Sequence, residues 1–151
     1  MDQSLKPTLE ETPDPGDIQF LNQRLHEHNL QHARGEDFNP LSVFVRDADG
    51  EILGGLTGGT FWDWLHIDVL WLSEELRGSG HGRALLQVGE KEAVRRGCHS
   101  ACVETHDFQA LPFYQKAGYT IYGQLTNFPR PYTKYYLYKR LVAGAKTDAG
   151  A

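Results

Sequence analysis

Leu70-Trp71-Leu72-Ser73-Glu74-Glu75-Leu76-Arg77-Gly78-Ser79-Gly80-His81-Gly82-Arg83-Ala84-Leu85-Leu86 changes character three times within seventeen residues. It reads as an apolar strand, a short linker, a glycine-rich turn and the start of a helix. Glycines at 78, 80 and 82 let successive backbone N–H groups converge on one point, because no Cβ restricts φ or blocks close approach. The helix that follows adds the positive end of its dipole at the same place. The stretch therefore predicts a phosphate-binding turn between a strand and a helix. Two common phosphate loops do not fit it. A P-loop ends in Gly-Lys-Ser/Thr, and here Arg83 and Ala84 follow Gly82. A dinucleotide fingerprint begins directly after its strand, yet five residues separate Leu72 from Gly78, and its third glycine would fall on Arg83.

Working outward, the chain of 151 residues is long enough for one domain with a single core, and 40% hydrophobic and 23% charged residues fit an ordinary globule. No apolar run reaches the length of a membrane span, and the N-terminal decapeptide lacks a charged-then-apolar leader pattern, so a cytoplasmic protein without membrane attachment is expected. A net charge of −5 argues against a dedicated nucleic-acid binder. The charge is uneven: residues 1–40 hold eight acids against three bases, whereas residues 77–97 hold five bases against two acids. A polyanion would thus meet its positive field at the glycine turn and its helix. Cys98 and Cys102 sit at a strand start, where four extended residues span roughly 13 Å, beyond disulfide reach. Cys102 reads as a core residue.

The periodicity predicts a proline-rich N-terminal segment over 1–16 with at most one edge strand near Leu5–Glu11. A helix follows from an N-cap at Asp17 to about Ala33, with Ile18, Leu21, Leu25 and Leu30 as its apolar stripe. Strands are expected at Leu41–Arg46, Ile52–Phe61 and Leu65–Leu72, antiparallel to one another through short turns. The loop helix should run from Gly80 to Arg96 and end at Gly97. A buried strand, His99–Thr105, then pairs parallel to Leu65–Leu72 through that helical crossover. A short helix closed by Gly118 precedes two last strands, Tyr119–Leu125 and Tyr132–Arg140. The tail 142–151 has no pattern and is expected to be disordered. In sum, the sequence predicts an α+β fold in which helices flank one mixed, mostly antiparallel sheet.

Leu70-x-Leu72 followed by Arg77-x-x-Gly80-x-Gly82 resembles the pyrophosphate loop of the GNAT superfamily of acetyl-CoA-dependent N-acetyltransferases. A second block, Asp107-Phe108-Gln109-Ala110-Leu111-Pro112-Phe113-Tyr114-Gln115-Lys116-Ala117-Gly118-Tyr119, resembles that family's Asn-x-x-Ala-x-x-Phe/Leu-Tyr-x-Lys-x-Gly-Phe element, with Asp107 where many members carry asparagine. The resemblance extends from about Leu41 to Leu141. It implies a single N-acetyltransferase domain over 1–151, with acetyl-CoA as co-substrate, no metal, and a small-molecule or peptide amine as acceptor. Homodimers are common in the family.

The resemblance further implies that Leu65–Leu72 and His99–Thr105 splay apart into a slot for the pantetheine arm. Leu70 and Leu72 would hold the arm through their backbone, with the Leu72 amide aimed at the thioester oxygen. Arg77, Gly78, Ser79, Gly80, His81, Gly82 and Arg83 would hold the diphosphate, with Asp107 and Phe113 contributing to the cofactor site. Tyr114 falls at the family's tyrosine acid, which assists departure of the CoA thiolate. The attacking amine must lose a proton, since a lysine-like amine has a pKa near 10.4. Asp68, two residues from His66 in an otherwise apolar strand, is the first candidate base, and Glu104 the second. Aromatic residues at Phe61, Trp62, Trp64 and Trp71 suggest either core packing or a clamp for part of the acceptor. Tyr132, Tyr135 and Tyr136 suggest either a cover over the acceptor site or an exposed dimer edge. The alternative reading is a non-catalytic acyl-CoA-binding module on the same fold.

Overall fold

The computed structural model describes residues 5–34 and 37–142. The chain forms two compact units, residues 1–36 and residues 37–151. In the first, Asp14 caps helix α1 (Pro15–Leu30) by accepting from the Gly16 amide at 2.8 Å. The cap expected at Asp17 therefore lies three residues earlier. Proline suits the first helical position because its φ is already helical and its missing N–H would have been unpaired there. Asp14 before it supplies the capping carboxylate. The helix also ends at Leu30 rather than Ala33. Residues 5–10 adopt no regular structure and no strand runs over 5–11, so the expected edge strand is absent. Pro7 lacks the N–H that a ladder would need. All of the expected disordered tail except Val142 lies outside the described residues.

The second unit is a six-stranded sheet built from β1 (Asn39–Arg46), β2 (Ile52–Phe61), β3 (Trp64–Leu72), β4 (Ser100–His106), β5 (Thr120–Thr126) and β6 (Thr133–Arg140). The strand order is β1-β2-β3-β4-β6-β5. Helix α2 (His81–Arg95) makes the β3–β4 crossover and α3 (Leu111–Lys116) joins β4 to β5. Only β3 and β4 run parallel, from Trp64 opposite Ser100 to Ile67 opposite Val103. The sequence-predicted strands and helices of this unit fall within two residues of these bounds. Leu56, Leu65, Leu86 and Leu137 are fully buried, and α2 lies against β1, β2 and β3. Because β6 pairs with β4 on one side and β5 on the other, Tyr135 and Tyr136 are interior to the sheet and form no edge.

One irregularity positions everything that follows. Thr57 of β2 pairs with Val69 and Gly58 pairs with Ile67, so Asp68 is an extra residue, a β-bulge in β3. Ahead of it the buried residues are Leu65 and Ile67; beyond it the inward positions shift by one to Leu70 and Leu72. Gly58 sits opposite. Any Cβ there would collide with the backbone carbonyl of His66, so only glycine lets β2 close on the bulge.

Candidate active site

Parallel pairing of β3 with β4 stops at Ile67 and Val103, at the bulge. Beyond it, Val69–Leu72 retains partners only in β2, while Glu104–His106 retains them only in β6. The facing edges of the two strands are thus unpaired. Between them lies a groove of about 740 Å³ lined by both strand ends, by Arg77, Gly78 and Gly82, and by residues 108–114 of the α3 segment except Leu111. An extended ligand entering this slot would find sheet hydrogen-bonding groups on both sides.

The glycine turn closes one end of the groove. Gly78 and Gly80 have φ of 75° and 87°, left-handed conformations that a side chain would strain. Gly80 stands at the N-cap of α2 without any side-chain cap. Among the described residues, the amides of Gly80, His81, Gly82 and Arg83 have no backbone acceptor. These are the orphan donors of a helix start, the groups an anion takes. The turn is braced from within. Ser79 Oγ lies 2.6 Å from His81 Nδ1 and also donates to the Leu76 carbonyl, while Arg77 Nε donates to the Leu72 carbonyl at 3.3 Å.

At the other end the groove meets a second cavity of about 360 Å³; the two share Asp68, Val103, Glu104 and Gln109. Both candidate carboxylates therefore stand on the border between the spaces. Glu104 accepts an ion pair from Lys134 at 2.7 Å. That carboxylate holds the Lys134 ammonium above its ordinary value, and the ammonium lies 4.5 Å from the Phe128 ring centre. His66 lines the same cavity, stacked on Phe61 at 4.8 Å, with its Nδ1 3.4 Å from Cys102 Sγ. Burial, reinforced by the negative charges of Glu104 and Asp68, pushes the Cys102 thiol up to about 11, so it stays protonated at neutral pH. Cys102 is half-buried in the cavity wall rather than in the core.

Tyr114 is buried in the groove wall by α3, whose start is fixed by Thr105 Oγ1 accepting from the Ala110 amide. Its ring meets Phe113 and Tyr119 edge-on at 5.2 and 5.5 Å. Burial pushes its phenol up to about 12. Among the described residues the hydroxyl has no hydrogen-bond partner.

The fold thus gathers Leu70, Leu72, Arg77, Gly78, Gly82, Phe113, Tyr114, Asp68 and Glu104 around one groove. Ser79, Gly80, His81 and Arg83 complete the turn at its end without lining it. Asp107 also stands apart from the lining. Its carboxylate accepts from the Thr133 amide at 3.1 Å and ties the β4–α3 loop to β6. Sequence reasoning missed Gln109, in the loop directly after β4, and Lys134 and Tyr122, which reach the site from strands that only the strand order brings near.

Comparison with known proteins agrees with this fold. Residues 8–119 match the family model described as acetyltransferase (GNAT) family. The chain is 41% identical over 106 residues to blasticidin-S acetyltransferase of Streptomyces morookaense, covering 68% of this chain and 78% of the relative. The crystal structure of an acetyltransferase from Bacillus cereus superimposes with a TM-score of 0.81 at 29% identity, over 88% of this chain and 97% of that one. A Bacillus anthracis acetyltransferase crystallised with acetyl coenzyme A shares the fold, with a TM-score of 0.61 at 19% identity over 68% of this chain and 62% of that one. The matched span takes in the bulged strand, the glycine turn and α3, and the chain belongs to the GNAT family of acetyltransferases.

Proposed function

We propose that this acetyltransferase moves the acetyl group of acetyl-CoA to a primary amine of a small molecule or peptide, by direct attack while both substrates are bound. The observation that carries the reading is the continuous path from anion-binding turn, through unpaired strand edges, to two carboxylates at the mouth of a second cavity. The diphosphate would take the orphan amides of Gly80 to Arg83, with Arg77 and Arg83 supplying charge. The pantetheine arm would lie along Leu70 and Leu72 as a substitute strand. The Leu72 amide would face the thioester oxygen, where a fixed dipole stabilises charge as it develops. The name of the Streptomyces morookaense relative, blasticidin-S acetyltransferase, supports a small-molecule acceptor.

Proton handling follows from the charges. At pH 7 only about one lysine-like amine in 2,500 is neutral. Asp68, which forms no ion pair among the described residues, would take the proton of the incoming amine directly or through water. Glu104 is occupied by Lys134, which favours Asp68 of the two. Nitrogen then bonds to the acetyl carbon, the carbon–sulfur bond breaks with its electron pair staying on sulfur, and the nitrogen's second proton passes to the thiolate as the amide forms. A phenol held near 12 is fully protonated at neutral pH, so Tyr114 would hydrogen-bond to the departing thiolate.

The experiment is release of free thiol from acetyl-CoA across a panel of amines. Tyr114→Phe should lower kcat about 100-fold while leaving acetyl-CoA affinity within about twofold. Equal loss of both would sink the acid role. Tight acetyl-CoA binding with no thiol release for any amine would favour a non-catalytic module.

A further inference from the structure

The acid-edged cavity adjoins a third space of about 480 Å³; His66, Cys102 and Tyr122 line both. This third space is an aromatic shelf. Phe61 ends β2, Trp62 sits in the β2–β3 turn, and Tyr122 and Tyr138 come from β5 and β6. Between them His66, Cys102 and Tyr138 lie in register across three neighbouring strands. The rings are already arranged: Phe61 stacks on His66 at 4.8 Å, and Tyr122 meets Tyr138 edge-on at 5.9 Å. Yet Tyr122 is 61% exposed and Tyr138 40%, a ring surface that the described residues leave uncovered.

The β2–β3 turn adds an independent observation. Its two central residues, Trp62 and Asp63, have φ of 49° and 65°. A two-residue hairpin turn with positive φ at both positions favours Asn-Gly, and a bulky residue there is an outlier. The chain therefore holds a tryptophan on the shelf at a cost in backbone strain, and such strain gathers at ligand clamps.

We infer that the acceptor carries its amine on a short chain attached to a flat aromatic or heteroaromatic ring, and that the ring lies on the Trp62–Tyr122–Tyr138 shelf while the amine enters the Asp68 cavity. This deepens the proposed acetyl transfer and rests on it for the placement of the amine. The ring gains from stacking and edge contacts on both walls. The amine's cationic form is drawn to the border carboxylate before it gives up its proton.

The test compares 2-phenylethylamine and tryptamine with butylamine on the full-length protein. The ring-bearing amines should show kcat/KM about tenfold higher. Trp62→Asn should cut that preference about fivefold or more, and should raise the melting midpoint by about 2–4 °C as the strain is relieved. Tyr122→Ser, at an exposed position, should cut the preference without touching the turn. Equal kcat/KM for all three amines, or a preference that survives both variants, overturns the shelf and leaves acetyl transfer standing. So does a Trp62→Asn variant that merely splits a dimer into monomers. If none of the amines is acetylated, calorimetric titration in the presence of CoA decides. Tighter binding of the ring-bearing amines, weakened in both variants, supports the shelf while acetyl transfer fails; equal binding sinks the shelf as well.

Discussion

At its first turn, helix α2 starts from Gly80 in the left-handed region, has no side-chain cap, and leaves four consecutive amides without a backbone acceptor among the described residues. At its last turn, the Gly97 amide bonds to the Val94 carbonyl and the Cys98 amide to that of Ala93, with Gly97 at φ 94° closing a Schellman turn. There Arg96 also donates to the Asn39 and Pro40 carbonyls and to Thr60 Oγ1, at 3.0 to 3.2 Å. One end of the helix is capped and pins β1 and β2. The other keeps donors unmatched beside an open groove. Unpaired helix-end donors give up hydrogen bonds that a cap would supply. That arrangement makes physical sense if an anion takes the donors during the working cycle and the far end holds the helix in place meanwhile.

The sharpest way to break this comparison is at Gly82. A Cβ there would stand 3.2 Å from Leu72 and 3.3 Å from Phe113, in the wall of the groove. Gly82→Val should weaken acetyl-CoA binding about 10- to 100-fold by calorimetry, through overpacking at the turn. The melting midpoint should move by no more than about 2–4 °C. A binding loss below about threefold would mean that the cofactor does not use this end of α2.

The opposite end should respond in the opposite sense. Arg96→Ala removes three hydrogen bonds to β1 and β2 from a side chain that is only 26% exposed. A loss of about 1–2 kcal/mol, or about 3–6 °C in the midpoint, is expected. Acetyl-CoA affinity should stay within about twofold. If Arg96→Ala weakened cofactor binding as much as Gly82→Val, the two ends would not be separable and the division of labour would fail.

Much of this helix was legible because its signals are local. Glycines at 78, 80 and 97 announce their left-handed backbones, Gly82 marks a close approach, and Arg77 follows from the motif spacing. The resemblance already implies that the two parallel strands splay near a bulge, and the phase of the strand shows where. The inward residues run Leu65, Ile67, then Leu70, Leu72, a break in period two that reads as one uninterrupted strand unless the phase is tracked. What sequence could not supply is strand order. Lys134 reaches Glu104 because β6, not β5, lies beside β4, and no local pattern in Thr133–Arg140 encodes that choice. The same non-local pairing moved Cys102 from an expected core position to the cavity wall. Asp14 was missed as a cap for a simpler reason. Asp17 begins the apolar stripe, but Pro15 fixes where a helix can begin.

The smallest effect sits one turn before Arg96. Glu92 accepts from Arg95 at 2.6 and 2.7 Å and from Arg96 at 2.9 Å. These bonds, Arg95 first, hold its carboxyl from the ordinary 4.5 down to about 2. A carboxyl with a lower pKa in the folded chain is protonated first in the unfolded chain. Its stabilisation is therefore whole above pH 4.5, shrinks as pH falls, and is gone near pH 2. Glu92→Gln should accordingly melt slightly below the wild type at pH 6, and more than half of that gap should be gone by pH 3. Salt should shrink the gap at pH 6 as well, because the pair faces solvent. Acetyl-CoA affinity at neutral pH should not change, since the charge lies at the end of α2 away from the glycine turn. A gap that persisted undiminished to pH 3 would mean that Glu92 holds Arg96 through shape rather than charge. The anchoring role of this helix end would then rest on Arg96's own bonds to β1 and β2.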